Sequence, residues 1–333
     1  MLRTAESIVY LGMDIGKASH AWTLLNGEGL LLEEGTVLNT NAALLKLAGR
    51  LAREGASLIV GCEATGTYYE NAALAFQKSG ATVHVINPAL TSTKALRSSM
   101  RSTKTDRQDA RGIAGKLFEK RGEIGTVFQW NPEERRLQAM ARHLQFLKKQ
   151  RVALRVRMED VASRSFDPIE ADVCLFDHEI ERMEKALAQQ TKLLWHEAVA
   201  ILVAIRGVGE ASACLLLAET GCMKRFPTSK AFAAFAGLDP TLKQSGTSVN
   251  GKSRMSKAGS PHLRARLTWS AKLLVRWNDT FKACFDNAIS RGKAPGVAYG
   301  IVARKFATVV HQCVTNLQPF DSSRVGLGIA KPI

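Results

Sequence analysis

The stretch Ile8-Val9-Tyr10-Leu11-Gly12-Met13-Asp14 decides the fold. Ile8, Tyr10, Gly12 and Asp14 fall on one face and Val9, Leu11 and Met13 on the other, the period of two expected of a strand, here ending on a carboxylate. A second apolar strand, Leu58 to Cys62, is closed by Glu63. Asp106 and Asp109 lie three apart in Thr103-Lys104-Thr105-Asp106-Arg107-Gln108-Asp109-Ala110-Arg111, which runs into a helix predicted from Asp109 to Lys120, so both acids can face one side. Two strands and one helix thus predict a single acidic cluster of Asp14, Glu63, Asp106 and Asp109.

The elements between these acids follow from local pattern. Ala21 to Leu25 and Leu30 to Thr36 flank the turn Asn26-Gly27-Glu28-Gly29, a hairpin signal, so three antiparallel strands open the chain. Asn41 is placed to cap an amphipathic helix from Ala42 to Glu54 whose apolar face is Leu44, Leu45, Leu47, Ala48 and Leu51. After the strand ending at Glu63 come a helix from about Tyr68 to Ser79, a strand Thr82 to Ile86, a loop at Asn87-Pro88 and the helix carrying Asp109. The sum, βββαβαβα, is the order of a ribonuclease H-like domain.

Like charges held close raise one another's pKa and resist joint ionisation, so an acidic cluster needs a neutralising partner. Mg²⁺ prefers oxygen ligands, and two ions about 3.5–4 Å apart activate the attacking oxygen and stabilise the leaving one in phosphoryl transfer. Taken singly, each acid also has a structural explanation: Asp14 as a polar strand end, Asp106 and Asp109 as carboxylates favoured at a helix start.

The chain has 333 residues and a net charge of +16, unevenly spread. Residues 1–100 carry 8 Lys/Arg against 8 Asp/Glu and residues 161–240 carry 8 against 11. Residues 101–160 carry 15 against 8, and 241–333 carry 15 against 3, so nearly all the excess lies in two blocks. An excess of +12 over 93 residues exceeds what solubility needs and suits phosphate binding through counterion release.

The length is enough for a real core and suggests two domains. Cys62, Cys174, Cys214, Cys222, Cys284 and Cys313 form no CxxC pair and no zinc-ligand spacing, which fits free thiols in a reducing compartment. No apolar run approaches the ~18–20 residues that span a bilayer, and Met1 to Ser7 does not lead into a signal peptide, so a cytoplasmic protein with no membrane partner is expected. The seven histidines show no HxxxH spacing.

Beyond residue 130 the chain turns helical. Leu137, Met140, Leu144, Leu147, Leu154, Met158 and Val161 follow 3,4 spacing, with Arg151 at the polar position, as do Ile169, Val173, Phe176, Ile180, Met183 and Leu187. Two long helices around the break Phe166-Asp167-Pro168 fit both packing within the chain and a coiled coil with another protomer. Ala204-Ile205-Arg206-Gly207-Val208-Gly209-Glu210, followed by an apolar helix from Ala211 to Glu219, resembles the hairpin of a helix-hairpin-helix module, where glycines bring backbone N–H groups to a phosphate. Gln244-Ser245-Gly246-Thr247-Ser248 and the basic run Lys252, Arg254, Lys257 precede Ser260-Pro261, a good helix start. A serine within that charge can attack phosphorus where cations stabilise its alkoxide, although most Ser-Gly pairs are turns.

Seven stretches in order, Gly12-Met13-Asp14-Ile15-Gly16-Lys17, Cys62 to Glu70, Val85 to Leu90, Thr103 to Arg111, Ile205 to Glu210, Phe232 to Pro240 and Gln244 to Arg264, resemble the DEDD-type insertion-sequence transposases, the bridge-RNA-guided serine recombinases related to Piv-type DNA invertases. The resemblance implies a RuvC-like metal-binding domain over residues 1–130, a coiled-coil-like dimerisation segment over 131–195 and a mainly α transposase domain over 196–333. It implies that Asp14, Glu63, Asp106 and Asp109 hold Mg²⁺ and that Ser245 is the nucleophile forming a phosphoserine link to DNA. A composite site completed between protomers, a homo-oligomer (a dimer, or a tetramer in the synaptic complex), donor and target DNA, and a noncoding bridge RNA are further implications. The positions expected to meet nucleic acid are Lys104, Arg107, Arg111, Gly207, Gly209, Lys252, Arg254, Lys257 and Arg264.

Other classes make different demands. A RuvC-like nuclease using water would need the four acids and not Ser245. A sugar-kinase or actin-like ATPase also begins with Asp-x-Gly, here Asp14-Ile15-Gly16, but the later nucleotide-binding glycine motifs are absent and the C-terminus is heavily basic. A non-catalytic nucleic-acid-binding protein would gain nothing from carboxylates that repel phosphate.

Overall fold

A computed structural model describes residues 8–52, 57–64, 68–86, 105–129, 131–159, 167–245 and 249–322. The chain divides into two units, Met1–Trp130 and Asn131–Ile333.

In the first unit the alternation along residues 8–15 becomes a strand with two covered faces. Strands β1 (Ile8–Ile15), β2 (Ser19–Leu25) and β3 (Leu31–Leu38) form an antiparallel run; helix α1 (Asn41–Ala52) leads to β4 (Ser57–Glu63), and α2 (Tyr69–Lys78) leads to β5 (Thr82–Ile86). β4 is parallel to β1 and β5 is parallel to β4, while β6 (Thr126–Val127) adds an antiparallel edge, giving the sheet order β3-β2-β1-β4-β5-β6. Leu11, Met13 and Ile15 bury with Leu44, Leu47, Leu51 and Phe76 of α1 and α2. Tyr10, on the opposite face, buries with Ile113, Ala114 and Leu117 of α3 (Asp106–Glu119).

Three details differ from the pattern expected. The helix α3 starts at Asp106 rather than Asp109, because the Thr105 hydroxyl caps it by accepting from the Gln108 N–H at 3.4 Å. Leu45 is exposed, and the apolar stripe of α1 narrows to Leu44, Leu47, Ala48 and Leu51. The short strand β6 follows α3. The predicted turn at Asn26 forms, its side-chain oxygen accepting from the N–H groups of Glu28 and Leu30, with Gly29 at φ +83°.

The second unit is mainly helical. Asn131 caps α4 (Pro132–Met158), which packs along α5 (Asp167–Val203), the latter interrupted at Trp195 by φ −142°, ψ 49°. Leu137, Ala141, Leu144 and Leu147 meet Ile180 and Leu187 with Leu215 and Ala218, so this part of the heptad seam packs within the chain, and Asp177 receives both Arg151 and Arg155 at 2.7 Å. Of the break proposed at Phe166-Asp167-Pro168, Phe166 lies outside the described residues, as does Val161 of the first heptad set.

Helices α6 (Glu210–Thr220), α7 (Ser229–Phe235), α8 (Pro261–Trp277), α9 (Asp279–Ser290) and α10 (Pro295–Asn316) enclose a core that includes Leu216, Phe232, Leu267, Phe281, Phe306 and Val310. Between α7 and α8 the chain makes a two-stranded ribbon, β7 (Pro240–Ser245) and β8 (Val249–Met255). Among the described residues no helix is long and apolar enough to cross a membrane.

Candidate active site

The acids are placed by register. β1 and β4 run parallel with Met13 opposite Cys62, so the next rung sets Asp14 beside Glu63 at the C-terminal ends of neighbouring strands. Both are half-buried, and Glu63 is also paired across to Ile86 of β5.

α3 is brought onto this face by two glycines. A Cβ on Gly12 would meet the Ala110 carbonyl oxygen and the Ala114 nitrogen at 2.3 Å, and a Cβ on Gly61 would meet Leu117 at 2.6 Å. The helix therefore lies backbone-close on the sheet, a role that a glycine within a strand commonly signals. Tyr10 meets Phe118 edge-on at 5.9 Å, while Gly12 meets Ala110 and Ala114, so α3 runs back along β1 and its first turn lies toward the Asp14 end. That turn carries Asp106, exposed, and Asp109, half-buried.

All four groups are carboxylates, the hard oxygen donors that suit Mg²⁺. Among the described residues no three acidic, His or Cys side chains lie close enough together to hold an ion as they stand. The donor type, though not a ready-made cluster, fits a divalent cation. Near Asp14, the Gly16 N–H donates to His20 Nδ1 at 3.3 Å; burial lowers the pKa of His20 and also that of His84.

Ser245 is the last residue of β7, opposite Val249 at the outer rung of the ribbon, with Lys252 and Arg254 on β8. The base of the ribbon is clamped. Ser256 N–H donates to the Asp239 carbonyl, Lys257 N–H to that of Gly237, and Ser260 N–H to that of Phe235. A Cβ on Gly259 would meet the Phe235 oxygen at 2.4 Å and the Gly237 nitrogen at 2.6 Å. Arg264 Nη1 donates to the carbonyls of Ala236 and Lys257 at 3.1 and 3.2 Å, and Lys257 takes φ +54°.

The other basic and glycine positions are distributed. Arg107 is exposed on the first turn of α3, and Arg111 pairs with Glu34 at 2.8 Å. Lys104 lies outside the described residues. Gly207, at φ +99°, turns the chain between α5 and α6, and Gly209 precedes the first turn of α6 with no side-chain cap. Spacing alone does not reveal the role of Gly12, although a glycine inside an apolar strand signals a close backbone approach.

One unit thus carries carboxylates at a sheet end, and the other, mainly helical and basic, carries a clamped ribbon ending on Ser245. Residues 11–166 match a family model described as a transposase of the DEDD, IS110 type, and residues 199–286 match one described as transposase IS116/IS110/IS902 family. Similar proteins include the pilin gene-inverting protein of Moraxella bovis, 28% identical over 270 residues, covering 78% of this chain and 80% of that protein. The insertion element IS110 43.6 kDa protein of Streptomyces coelicolor is 29% identical over 152 residues, 45% of this chain and 37% of that protein. A putative transposase of Sinorhizobium fredii is 43% identical over 79 residues, 24% of this chain and 19% of that protein. The chain belongs to the IS110-type DEDD transposases and is an enzyme of DNA recombination.

Proposed function

We propose that this transposase cuts and rejoins DNA through a covalent phosphoserine link, with Ser245 as nucleophile and Asp14, Glu63, Asp106 and Asp109 as ligands of Mg²⁺ in a RuvC-like domain of ribonuclease H type. The observation that carries the reading is the register of β1 with β4, which puts Asp14 beside Glu63 on the face that α3 covers. The sheet order and the backbone-close seating of α3 support the fold assignment.

When bound, Mg²⁺ supplies positive charge to the scissile phosphate and its leaving oxygen. The chain's own groups do the rest. The Ser245 oxygen attacks phosphorus, the bond to the leaving oxygen breaks, and one DNA end is held on the serine while the other is released as a hydroxyl. Attack by the hydroxyl of an exchanged strand restores Ser245 and reseals the backbone without ATP, because each step trades one phosphodiester for another. Basic side chains of residues 241–333 neutralise the DNA backbone.

Guidance by a noncoding bridge RNA, a homo-oligomer assembled through the α4–α5 hairpin, and action at the nucleoid in the cytoplasm complete the proposal. The two basic blocks support the nucleic-acid partners of this reading. A denaturing gel with Mg²⁺, labelled element-end and target DNA and transcript of the flanking noncoding region tests it, comparing wild type with Ser245→Ala and Asp106→Asn. A covalent protein–DNA band lost in both variants is expected. Cleavage that survives Ser245→Ala without a covalent band would leave a RuvC-like nuclease that uses water. Calorimetric titration of Mg²⁺ into wild type and Asp14→Asn reads the ion site apart from activity.

A further inference from the structure

The helix α8 carries 17 residues without one Asp or Glu. Its inner face, Leu263, Leu267, Ala271 and Leu274, is in the core of the second unit. Its outer face is not an ordinary solvated one. Ala265, Trp269, Lys272 and Arg276 are all exposed and follow i, i+4, i+7, i+11 spacing, so they form one stripe along the helix. Trp269 is 55% exposed and Trp277, at the helix end, 48%. The Arg276 guanidinium lies over the Trp277 ring, 5.0 Å from its centroid, presenting a cation and an aromatic group together.

This stripe continues into the Gly207 turn. A Cβ on Gly207 would meet Trp277 Cβ at 3.3 Å, and Asn278 Nδ2 donates to the Arg206 carbonyl at 3.3 Å. Arg206 is exposed beside it. The two acids nearest this turn have other work: Glu210 pairs with Lys192 at 2.8 Å, and Asp279 lies in the first turn of α9, where carboxylates are favoured. The Arg264 guanidinium, committed to the ribbon base, is not part of the stripe.

We propose that this face of α8, from Trp269 through Lys272 and Arg276 to Trp277 and the Arg206-Gly207 turn, binds unpaired DNA. The reading rests on the enzyme's action on DNA, and it adds a strand-holding surface to the second unit. Two half-exposed indoles leave broad apolar faces in water, and stacked bases cover such faces in single-strand binding while interleaved cations take the phosphates. A duplex keeps its bases stacked on one another and would use the cations alone. Trp269 and Trp277 are eight residues apart, about 12 Å along the helix, the length of several nucleotides. Strand exchange produces the unpaired stretches that such a surface would hold.

The experiment is fluorescence anisotropy of labelled dT20, of a duplex of the same length and of rU20, with the full chain in EDTA. Wild type is compared with Trp269→Ala, Trp269→Phe and the double variant Lys272→Gln/Arg276→Gln, with circular dichroism melts confirming folding. Loss of about tenfold in dT20 affinity for Trp269→Ala, with Trp269→Phe near wild type and duplex affinity changed less than about twofold, is expected. The double variant should weaken dT20 binding and flatten its salt dependence. Unchanged dT20 affinity in both Trp269→Ala and the double variant would overturn the proposal, more so if light scattering shows that they alter the oligomer, which would make the stripe a contact between copies. A loss confined to rU20 would overturn the assignment to DNA. Cleavage is silent in EDTA, so failure of the phosphoserine reading would appear in the denaturing gel and not here.

Discussion

The two units hold their candidate site residues by different means. Asp14 and Glu63 lie on strands paired on both sides, and their placement follows from the register of an entire sheet. Ser245 lies on a two-stranded ribbon, one pair deep, whose orientation is set at its base by glycines and one arginine. A sheet end gives a fixed frame, which suits the ion-ligand role proposed for these acids. A ribbon leaves Ser245, the proposed nucleophile, on an arm attached firmly at one end only.

The largest effects would come from removing the chemistry on either side. Ser245→Ala and Asp14→Asn should each lower strand joining by about a thousandfold or more, and the double variant should be little worse than either alone, as for residues that act as one unit. Additive losses in a strand-transfer assay would argue that Ser245 and Asp14 do not serve one step.

Next is the frame itself. Gly12→Ala drives a methyl group against the backbone of α3 and should cost about 3 kcal/mol in the melting of the first unit, with the helices of the second unit unaffected. Arg264→Met removes both carbonyl bonds at the ribbon base and should cost the second unit about 2 kcal/mol, read by denaturant titration, while lowering covalent joining more than Mg²⁺ binding. If joining survives Arg264→Met, the clamp is not what positions Ser245.

Acid separates the units in a third way. Burial lowers the pKa of His20 and His84 below the ordinary 6.5, so the unfolded chain binds their protons first and the first unit loses stability as pH falls below about 6.5. Asp177, lowered by its bond to Arg151, contributes above the ordinary 3.8, and its contribution is lost only as pH falls through its depressed value. Unit-specific hydrogen exchange between pH 7 and 5 should therefore show the first unit loosening while the α4–α5 hairpin holds. The smallest effect is at the surface: Arg50→Ala removes an exposed pair with Glu33 and should cost less than about 1 kcal/mol.

The central strands were legible because period-two alternation runs through residues 8–15 and apolar residues fill 58–62, and their pairing brought Asp14 to Glu63. The start of α3 was misplaced because Asp106-Arg107-Gln108 offers no apolar residue to phase, and the capping hydroxyl of Thr105 decided it instead. The two residues of β6 are too few to show a period. The ribbon is not legible as paired strands, since Lys243-Gln244-Ser245 and Gly251-Lys252-Ser253-Arg254 lack apolar alternation. Its clamp joins residues about twenty apart, which local pattern does not reveal. The stripe on α8 was spelled out in the spacing of Trp269, Lys272 and Arg276, yet which face pointed outward depended on what packs beneath.

The clamped ribbon has a mechanical consequence. From Pro240, opposite Met255, to Ser245, opposite Val249, is five residue steps, about 17 Å of strand. Such an arm is a cantilever, and a small tilt at its root becomes a displacement of several ångströms at its tip. On the proposed phosphoserine reading, a DNA end joined to Ser245 would be carried through that arc by rocking at the Gly237–Gly259 crossing.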